Sequence, residues 1–221
     1  MSNDQRLSTY WGYKFEALCT LPTRSPSSEE LASRNQTIVN NHAQYGVVSR
    51  TRLGKHSIIM GAEVDCVMDR GDKKTYVELK TSKEIQHPKQ QSSFERHKLL
   101  KFWAQSFLIG VPIITVGFRD NHGILRSLRS FDTLHIPRIV RGKPGMWNPN
   151  VCLNFADALL SWIKSIIKNG KEDRGNPRTT WTIAFKEPFK EVTLEYAGEK
   201  NSFLPEKYIE KMDKDNTPIV I

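Results

Sequence analysis

Two kinds of hydrophobic pattern follow each other along this chain. Short stretches alternate apolar or β-branched residues with polar ones, which is typical of strands, and longer stretches repeat apolar positions every three or four residues, as amphipathic helices do. The predicted strands cover residues 47–53, 57–68, 75–81, 112–119, 179–185 and 191–196, with turns at 70–73 and at 121–123, the latter leading into a further strand. The predicted helices cover residues 27 or 28 to 41, 93–109 and 151–168.

This order of elements predicts an α+β (mixed α/β) fold. We expect largely antiparallel and mixed β-sheets flanked by helices, arranged around one core as a single domain. The length of 221 residues is sufficient for such a core. Residues 1–197 form the predicted domain, and residues 198–221, which are mostly polar, form a loosely ordered tail.

Charge adds a candidate partner. The chain carries 33 Lys and Arg against 24 Asp and Glu, a formal net charge of +9. The excess is concentrated in the middle, where residues 69–101 hold nine basic and five acidic side chains and residues 119–143 hold six and two. Such a field favours a polyanion, although a solvated lysine-rich surface would give the same count. The most apolar stretch, 103–118, is interrupted and too short for a membrane span, so we expect no membrane partner.

Acidic residues alternate with apolar ones in two neighbouring predicted strands. Glu63 and Asp65 share one face of the first strand, and Glu78 and Lys80 share one face of the next, because successive side chains point to opposite faces. A hairpin between the strands would bring the four side chains together. Its predicted cross-strand pairs are Asp69 with Lys74, Asp65 with Glu78, and Glu63 with Lys80.

The predicted cluster suggests a metal. Asp65 opposite Glu78 would be destabilising without a cation between them, and carboxylate oxygens suit hard divalent ions such as Mg²⁺ or Mn²⁺. An Asp followed after twelve residues by Glu-x-Lys is also the spacing of metal-dependent nucleases, in which the acids hold the metal and the lysine assists the nucleophile. An exposed hairpin with surface ion pairs, worth about 0–1 kcal/mol each, fits the spacing equally well.

The helix predicted at 93–109 carries a basic stripe. At 100° per residue, Lys98, Lys101 and Gln105 lie close together on one face, and the apolar residues lie on another. A stripe of this kind can bind phosphates and base edges. It is also an ordinary composition for a solvated helix face.

Five segments in order give a specific resemblance. The chain resembles the DXO family of RNA 5′-end decapping nucleases, most closely its fungal nuclear branch that partners the nuclear 5′-to-3′ exoribonuclease. The resemblance extends from about residue 10 to residue 196. It is carried by the Gly-aromatic-x-x-Glu motif within 11–16, the Glu-x-Asp motif within 61–66, the Glu-x-Lys motif within 76–81, and the segments 101–108 and 117–120.

The resemblance implies roles for individual residues. Glu16 would bind metal directly or through water, and Lys80 and Gln105 would contact the scissile phosphate or the attacking water. Lys98 and Lys101 on the basic stripe, with Lys80 and Gln105, are the candidate substrate-binding residues. The implied ligands of two Mg²⁺ or Mn²⁺ ions are Glu16, Glu63, Asp65, Glu78 and the Leu79 carbonyl, and the implied catalytic residues are Glu63, Asp65, Glu78, Lys80 and Gln105.

The resemblance also implies a function. The family hydrolyses aberrant RNA 5′ ends: it releases pyrophosphate from 5′-triphosphate RNA and removes incompletely methylated caps and NAD caps, in nuclear RNA quality control. We therefore expect a restriction-nuclease-like metal-site core in the catalytic domain, residues 1–197. Family members carry a further N-terminal half with an arginine motif, which we expect this chain to lack.

Two other functions remain compatible with the sequence. A restriction-like deoxyribonuclease would share Asp65, Glu78 and Lys80 but would not require Glu16 or Gln105. A catalytically weak RNA-binding protein that stimulates the exoribonuclease would keep the scaffold without efficient hydrolysis.

Overall fold

A computed structural model describes residues 2–21, 23, 25–36, 38–70, 73–170 and 176–214. Residues 71–72 of the predicted turn, residues 171–175 between the last helix and strand pair, and the end of the predicted tail, 215–221, lie outside these ranges. The chain divides into two compact units, Met1–Cys152 and Leu153–Ile221. No helix in the described ranges is both long and apolar enough to cross a membrane.

The first helix, α1, covers Asn3–Cys19 and was not predicted from the sequence. Its N-terminus is closed by a capping box, in which Ser2 Oγ accepts from Gln5 N at 3.3 Å and Gln5 Oε1 accepts from Ser2 N at 2.8 Å. The Ser-x-x-Gln spacing was a readable signal for this helix. The helix buries Phe15, which is 6% exposed.

The described part of the first unit contains six strands. Two of them form a separate ribbon, and four form a mixed sheet in which one parallel pair lies between two antiparallel pairs. The ribbon consists of β1 (Gly46–Leu53) and β2 (His56–Glu63); the sheet has the order β3 (Cys66–Arg70), β4 (Lys73–Lys83), β5 (Ile113–Arg119), β6 (Leu125–Asp132). Antiparallel and mixed sheets flanked by helices are the architecture that the patterning predicts.

The predicted hairpin is present with the predicted register but is shorter than expected. Asp69 lies opposite Lys74, which confirms the register, and the ladder ends at Cys66 opposite Val77. The extensions of that ladder to Asp65 with Glu78 and to Glu63 with Lys80 were wrong as strand pairs.

The predicted strand 57–68 is divided because its two halves belong to different sheets. Glu63 ends β2 and pairs with Gly46 of the ribbon. Val64, only 2% exposed, follows it, and its amide donates to the Tyr45 carbonyl at 3.0 Å. This bond keeps residue 64 with the ribbon, so the chain joins the sheet only at Cys66.

The two faces of β4 have different partners. Val77 and Leu79 pack with Phe15 of α1 in a buried cluster. Side chains of the opposite parity include Glu78 and Lys80, and Lys80 donates to Glu78. The predicted parity of this strand is therefore confirmed.

A helical crossover joins β4 to β5. It consists of α3 (Pro88–Ser93), a π-helical segment (Phe94–Leu99) and α4 (Leu100–Ile109). The sequence predicted its end correctly, because Gly110 takes a left-handed conformation with φ of +83°. The helical region begins five residues before the predicted start, with Pro88 in the first turn, where its missing N–H costs nothing.

The π-helical segment is fixed from both sides. Phe94 contacts Phe118 of β5, with ring centroids 5.4 Å apart. Glu95, 3% exposed, accepts from Lys143 Nζ at 2.6 Å and from Gln91 Nε2 at 2.7 Å. Trp147 Nε1 donates to the Glu95 carbonyl at 3.0 Å. A buried, paired carboxylate thus holds the irregular turn in place.

Two other helices of the first unit differ from the sequence prediction. The helix predicted to reach residue 41 begins after an N-cap at Ser27, as expected, but α2 covers only Ser28–Ser33 and continues as a 3-10 turn, Arg34–Gln36. No residue of α2 is buried, so packing does not extend it. The short helix α5 (Ile136–Val140) was not predicted.

The second unit contains most of α6 (Pro149–Asn169), the antiparallel pair β7 (Thr180–Ala184) and β8 (Thr193–Gly198), and α7 (Glu206–Lys214). The predicted helix and strand pair are confirmed to within about two residues at most ends. α7 lies within the sequence expected to be a loose tail. Its Ile209 is 3% exposed, and Arg178 forms two bonds to the Glu206 carboxylate at 2.5 and 2.6 Å.

Gly117 and Gly12 provide a stability test. A Cβ at Gly117 would lie 2.7 Å from the Phe15 ring, so Gly117→Ala should destabilise the protein by about 1–3 kcal/mol. A Cβ at Gly12, within α1, would meet nothing within 4 Å, so Gly12→Ala should stabilise it by about 0.5–1 kcal/mol. Urea unfolding of both variants measures the two effects. Equal midpoints for Gly117→Ala and the unchanged protein would contradict the described packing.

Candidate metal and phosphate site

Three elements of the first unit bring acidic side chains to the middle of β4. Glu16 follows the buried Phe15 in the last turns of α1, so the packing of Phe15 sets the direction of its neighbour. Glu63 ends β2, and Asp65 lies in the short connection to β3. The division of the predicted long strand is what places these two acids between ribbon and sheet.

The chain holds Asp65 against β4 without a ladder. Asp65 Oδ2 accepts from the Leu79 amide at 2.6 Å. The Leu79 side chain is buried with Phe15, so that amide is fixed by the core. A side-chain bond therefore replaces the strand pair predicted for Asp65, and the carboxylate still lies beside the Glu-x-Lys motif.

Glu78 and Lys80 form an ion pair on β4. The Glu78 side chain is 4% exposed, that of Lys80 is 25% exposed, and Lys80 Nζ donates to Glu78 Oε1. A buried carboxylate without a partner would be strongly destabilising, so Lys80 offsets the cost of burying Glu78.

The pKa shifts indicate how closely the acids lie to one another. Partial burial, followed by repulsion from Asp65, raises the pKa of Glu16 to about 7, and the positive charge of Lys80 opposes this shift. Glu63 and Glu78 add smaller repulsions. Burial also raises the pKa of Glu78, against the hydrogen bond and charge of Lys80. The five side chains therefore form one electrostatic group.

One residue of the predicted basic stripe, Lys98, has a defined partner on β4. Lys98 Nζ donates to Ser82 Oγ at 3.0 Å, and Ser82 lies two residues beyond Lys80 on the same face of β4. Burial of that ammonium group, with repulsion from Arg119, lowers the pKa of Lys98. Lys101 and Gln105 are exposed on α4. Their roles stay predictions.

The chemistry of the donor set fits a hard divalent cation. All four acidic members offer oxygen ligands. Burial, and after it repulsion from Asp65, raises the pKa of Glu16, and a bound cation would favour its ionised form. Within the described ranges, however, no three His, Cys, Asp or Glu side chains converge as a coordination sphere. Glu78 is engaged by Lys80, and Asp65 by the Leu79 amide. The four acids therefore lie near one another, and two of them, Glu78 and Asp65, already accept hydrogen bonds from β4.

A family model supplies the identification. The model of the RAI1-like PD-(D/E)XK nucleases matches residues 1–209. The chain belongs to this family. The restriction-nuclease-like core expected from the sequence is thereby confirmed, and the Glu-x-Lys motif at 78–80 corresponds in form to the (D/E)XK of the family's description.

Curated relatives carry decapping names. The chain is 51% identical over 175 residues to the decapping nuclease RAI1 of Aspergillus fumigatus, covering 75% of this chain and 47% of the relative. It is 40% identical over 220 residues to the decapping and exoribonuclease protein of Xenopus laevis, covering 96% and 51%. The chain thus spans about half the length of the curated relatives it matches.

Solved structures agree with this family. Rai1 of Candida albicans in complex with pU5-Mn²⁺ is 31% identical, with a TM-score of 0.79 over 95% of this chain and 54% of that one. Rai1 of Scheffersomyces stipitis in complex with (3′-NADP)⁺ and calcium ion is 27% identical, with a TM-score of 0.83 over 97% of this chain and 59% of that one.

Strand parity revealed part of this group and missed the rest. Glu63, Asp65, Glu78 and Lys80 could be predicted together because alternation determines which side chains share a face. Glu16 lies on a helix far away in sequence, and only the family resemblance pointed to it. The partnership of Ser82 with Lys98 had no sequence signal, because it joins a strand to the helical crossover and depends on how the two elements pack.

The raised pKa of Glu16 predicts a pH dependence of stability in the metal-free protein. Its folded-state value of about 7 exceeds the ordinary value of 4.5, so the stability from the protonated carboxyl is fully present below about pH 4.5 and lost as the pH rises through 7. Glu16→Gln removes this titration. The unfolding free energy of the variant minus that of the unchanged protein should therefore increase by on the order of 1 kcal/mol from about pH 5 to about pH 8.

Urea unfolding in the presence of a chelator measures this difference. Glu29→Gln, a change on the exposed α2, is the matched control and should follow the unchanged protein across the same range. Parallel pH profiles for Glu16→Gln and the unchanged protein would show that the pKa of Glu16 is not raised in the folded state.

Proposed function

We propose that residues 1–197 form the catalytic region of a metal-dependent hydrolase that acts on RNA 5′ ends. The observation that carries the proposal is the grouping of Glu16, Glu63, Asp65 and Glu78 around Lys80, four acids from four chain segments that share one electrostatic environment. Structural stability alone would not favour such a concentration of like charge. Membership of a nuclease family supports the same conclusion.

We propose that the carboxylates of this group, with the Leu79 carbonyl, hold Mg²⁺ or Mn²⁺, in a pair of ions. Bound there, the divalent metal would polarise a phosphate oxygen and lower the pKa of water. The Candida albicans relative in complex with Mn²⁺, and the Scheffersomyces stipitis relative with calcium ion, support the use of a divalent cation. The donor set explains why a hard cation is preferred.

Lysine side chains of the protein would bind the phosphate groups of the substrate. Lys80 is partly exposed beside the buried Glu78, so its ammonium can contact a phosphate oxygen while it remains paired. Gln105 is proposed as a second contact to the scissile phosphate or to the attacking water. Lys98 and Lys101 would bind neighbouring phosphates of the substrate. In this assignment the acids determine where hydrolysis occurs, and the basic residues determine how the anionic chain lies.

The proposed substrates are RNAs with 5′-triphosphate ends, incompletely methylated caps and NAD caps. For the triphosphate, water attacks the α-phosphorus, the bond to the β-phosphate oxygen breaks, and pyrophosphate leaves a 5′-monophosphate. The relatives named as decapping nucleases support this substrate class. The Candida relative in complex with pU5 and the Scheffersomyces relative with (3′-NADP)⁺ support binding of RNA and of a dinucleotide, respectively.

We further propose that the protein acts in the nucleus in RNA quality control, together with a 5′-to-3′ exoribonuclease. The support is the resemblance to the fungal nuclear branch and the identity with fungal decapping nucleases. In this proposal the hydrolysis leaves a 5′-monophosphate end, which the exoribonuclease would then degrade.

Asp65→Asn and Glu78→Gln test the acidic group. Each should lower the rate of pyrophosphate release from triphosphate RNA by roughly a hundredfold or more, because each removes a charged metal ligand at nearly constant shape. Asp69→Asn changes an exposed carboxylate on the neighbouring β3 and should retain the rate. Undiminished release in both site variants would refute the assignment.

Substrate choice separates RNA 5′-end hydrolysis from the two alternatives. The protein should act on triphosphate, cap-bearing or NAD-capped RNA and should lose that activity with Glu16→Gln or Gln105→Ala. Cleavage of DNA that survives both changes would indicate a restriction-like deoxyribonuclease instead. Stimulation of an exoribonuclease without any hydrolysis would indicate a catalytically weak RNA-binding partner.

A further inference from the structure

The β1–β2 ribbon has one exposed face that combines basic and apolar side chains. Val48 is 79% exposed and Ile59 is 71% exposed. Arg50 and Arg52 lie on the same face as Val48, because they follow it at two-residue intervals along β1. The side chains of this face are exposed to solvent. An exposed face that combines apolar and basic side chains is typical of a surface that binds a partner.

The register of the ribbon leads from the arginines to the acidic group. Arg52 lies opposite Ser57, Arg50 opposite Ile59, and Gly46 opposite Glu63. Positions 57, 59, 61 and 63 share one face of β2, so the face that carries the arginines ends at Glu63. At about 3.3 Å per residue, Glu63 lies ~13 Å along the strand from the Arg50 pair and ~20 Å from the Arg52 pair.

The path between these ends is open. A Cβ added at Gly46 or at Gly61 would meet nothing within 4 Å. Both glycines lie on this face: Gly46 is opposite Glu63, and Gly61 lies between Glu63 and the arginines. Neither glycine has a positive φ, so neither is required by backbone conformation. Within the described part of the chain, no side chain covers this strip.

The charge of the strip favours a polyanion. Its eight positions are Gly46, Val48, Arg50, Arg52, Ser57, Ile59, Gly61 and Glu63, with two cations and a single acid at the end that joins the carboxylate group. Arg50 Nε donates to Ser57 Oγ at 3.0 Å, which holds the guanidinium group along the ribbon. Lys55 is exposed in the turn beyond Arg52 and extends the positive end.

We propose that this strip binds the RNA chain downstream of its 5′ end, with Arg50 and Arg52 contacting phosphates and Val48 and Ile59 contacting riboses or bases. The proposal rests on the proposed function, since Glu63 belongs to the group assigned to hydrolysis. Proteins bind single strands with a basic groove that follows the backbone and with side chains, usually aromatic, that contact the bases. On the strip, the side chains available for base or ribose contact are aliphatic. The strip would make affinity depend on RNA length beyond the first nucleotides.

The double variant Arg50→Ala/Arg52→Ala tests the strip by equilibrium binding. Fluorescence anisotropy with a 5′-monophosphate RNA dodecamer, in Ca²⁺, gives Kd at several salt concentrations. The slope of log Kd against log salt should fall by about 1.4, because each phosphate neutralised on a single strand contributes about 0.7. The loss of affinity should be much smaller for a dinucleotide, which does not reach the strip.

Matched variants distinguish the strip from net charge and from misfolding. Arg138→Ala/Arg141→Ala removes two exposed cations elsewhere in the same unit and should leave the slope unchanged. Arg50→Lys/Arg52→Lys should restore it. Val48→Lys adds a cation at an exposed position of the strip and should steepen the slope by about 0.7 while tightening binding, a gain that misfolding cannot produce.

An unchanged slope for Arg50→Ala/Arg52→Ala, or an equal loss in the Arg138→Ala/Arg141→Ala control, would overturn the proposal. Analytical ultracentrifugation of Ile59→Glu gives a further test. If this change dissociates a dimer and leaves RNA binding unchanged, a second copy of the chain covers the face, and the proposal is wrong. Binding is measured without turnover, so a protein that shows the strip's salt dependence but hydrolyses no 5′ end would refute the proposed function and keep the RNA track.

Discussion

The partial burial of acidic side chains around a single lysine is the constraint on which the rest of the fold depends. Glu78 is almost fully buried on β4, and Lys80 is the cation within hydrogen-bond reach of it. Three further acids approach the same place and raise the free energy of the ionised state. The surrounding structure must therefore be rigid enough to hold like charges together, since relaxation would separate them.

That rigidity comes from the way α1 is attached to the sheet. Phe15 fills the space left by Gly117 and contacts the apolar face of β4. Arg119 lies over the Trp11 ring at 4.0 Å and donates to Ser8 Oγ at 3.1 Å. The helix is thus fastened at two points along its length, which prevents rotation about its axis. Glu16 is consequently held close enough to the other acids for their charges to raise its pKa, after the larger effect of burial.

Local pattern predicted the parts of this site that local geometry determines. Alternation placed Glu78 and Lys80 together, and the turn gave the register of the hairpin, because only one parity buries Val77 and Leu79. The length of the ladder could not be predicted, since it depends on the hydrogen bond from the Val64 amide to the carbonyl of Tyr45, the residue before β1. The grouping of Lys98 with Lys101 and Gln105 assumed one regular helix, whereas the structure has a π-helical segment at Phe94–Leu99, and the role of this group stays a prediction.

The alternation along β4 has a consequence for how such a protein can diverge. Residues 77 and 79 stabilise the core, and residues 78 and 80 carry the charges, so structure and chemistry occupy adjacent positions on one strand. A substitution can therefore change the charged residues without changing the core, or the core without changing the charges. An insertion of a single residue would exchange the two faces and abolish both at once. New specificities on this scaffold are therefore accessible by replacing side chains, whereas changes in chain length are confined to the connections outside this strand.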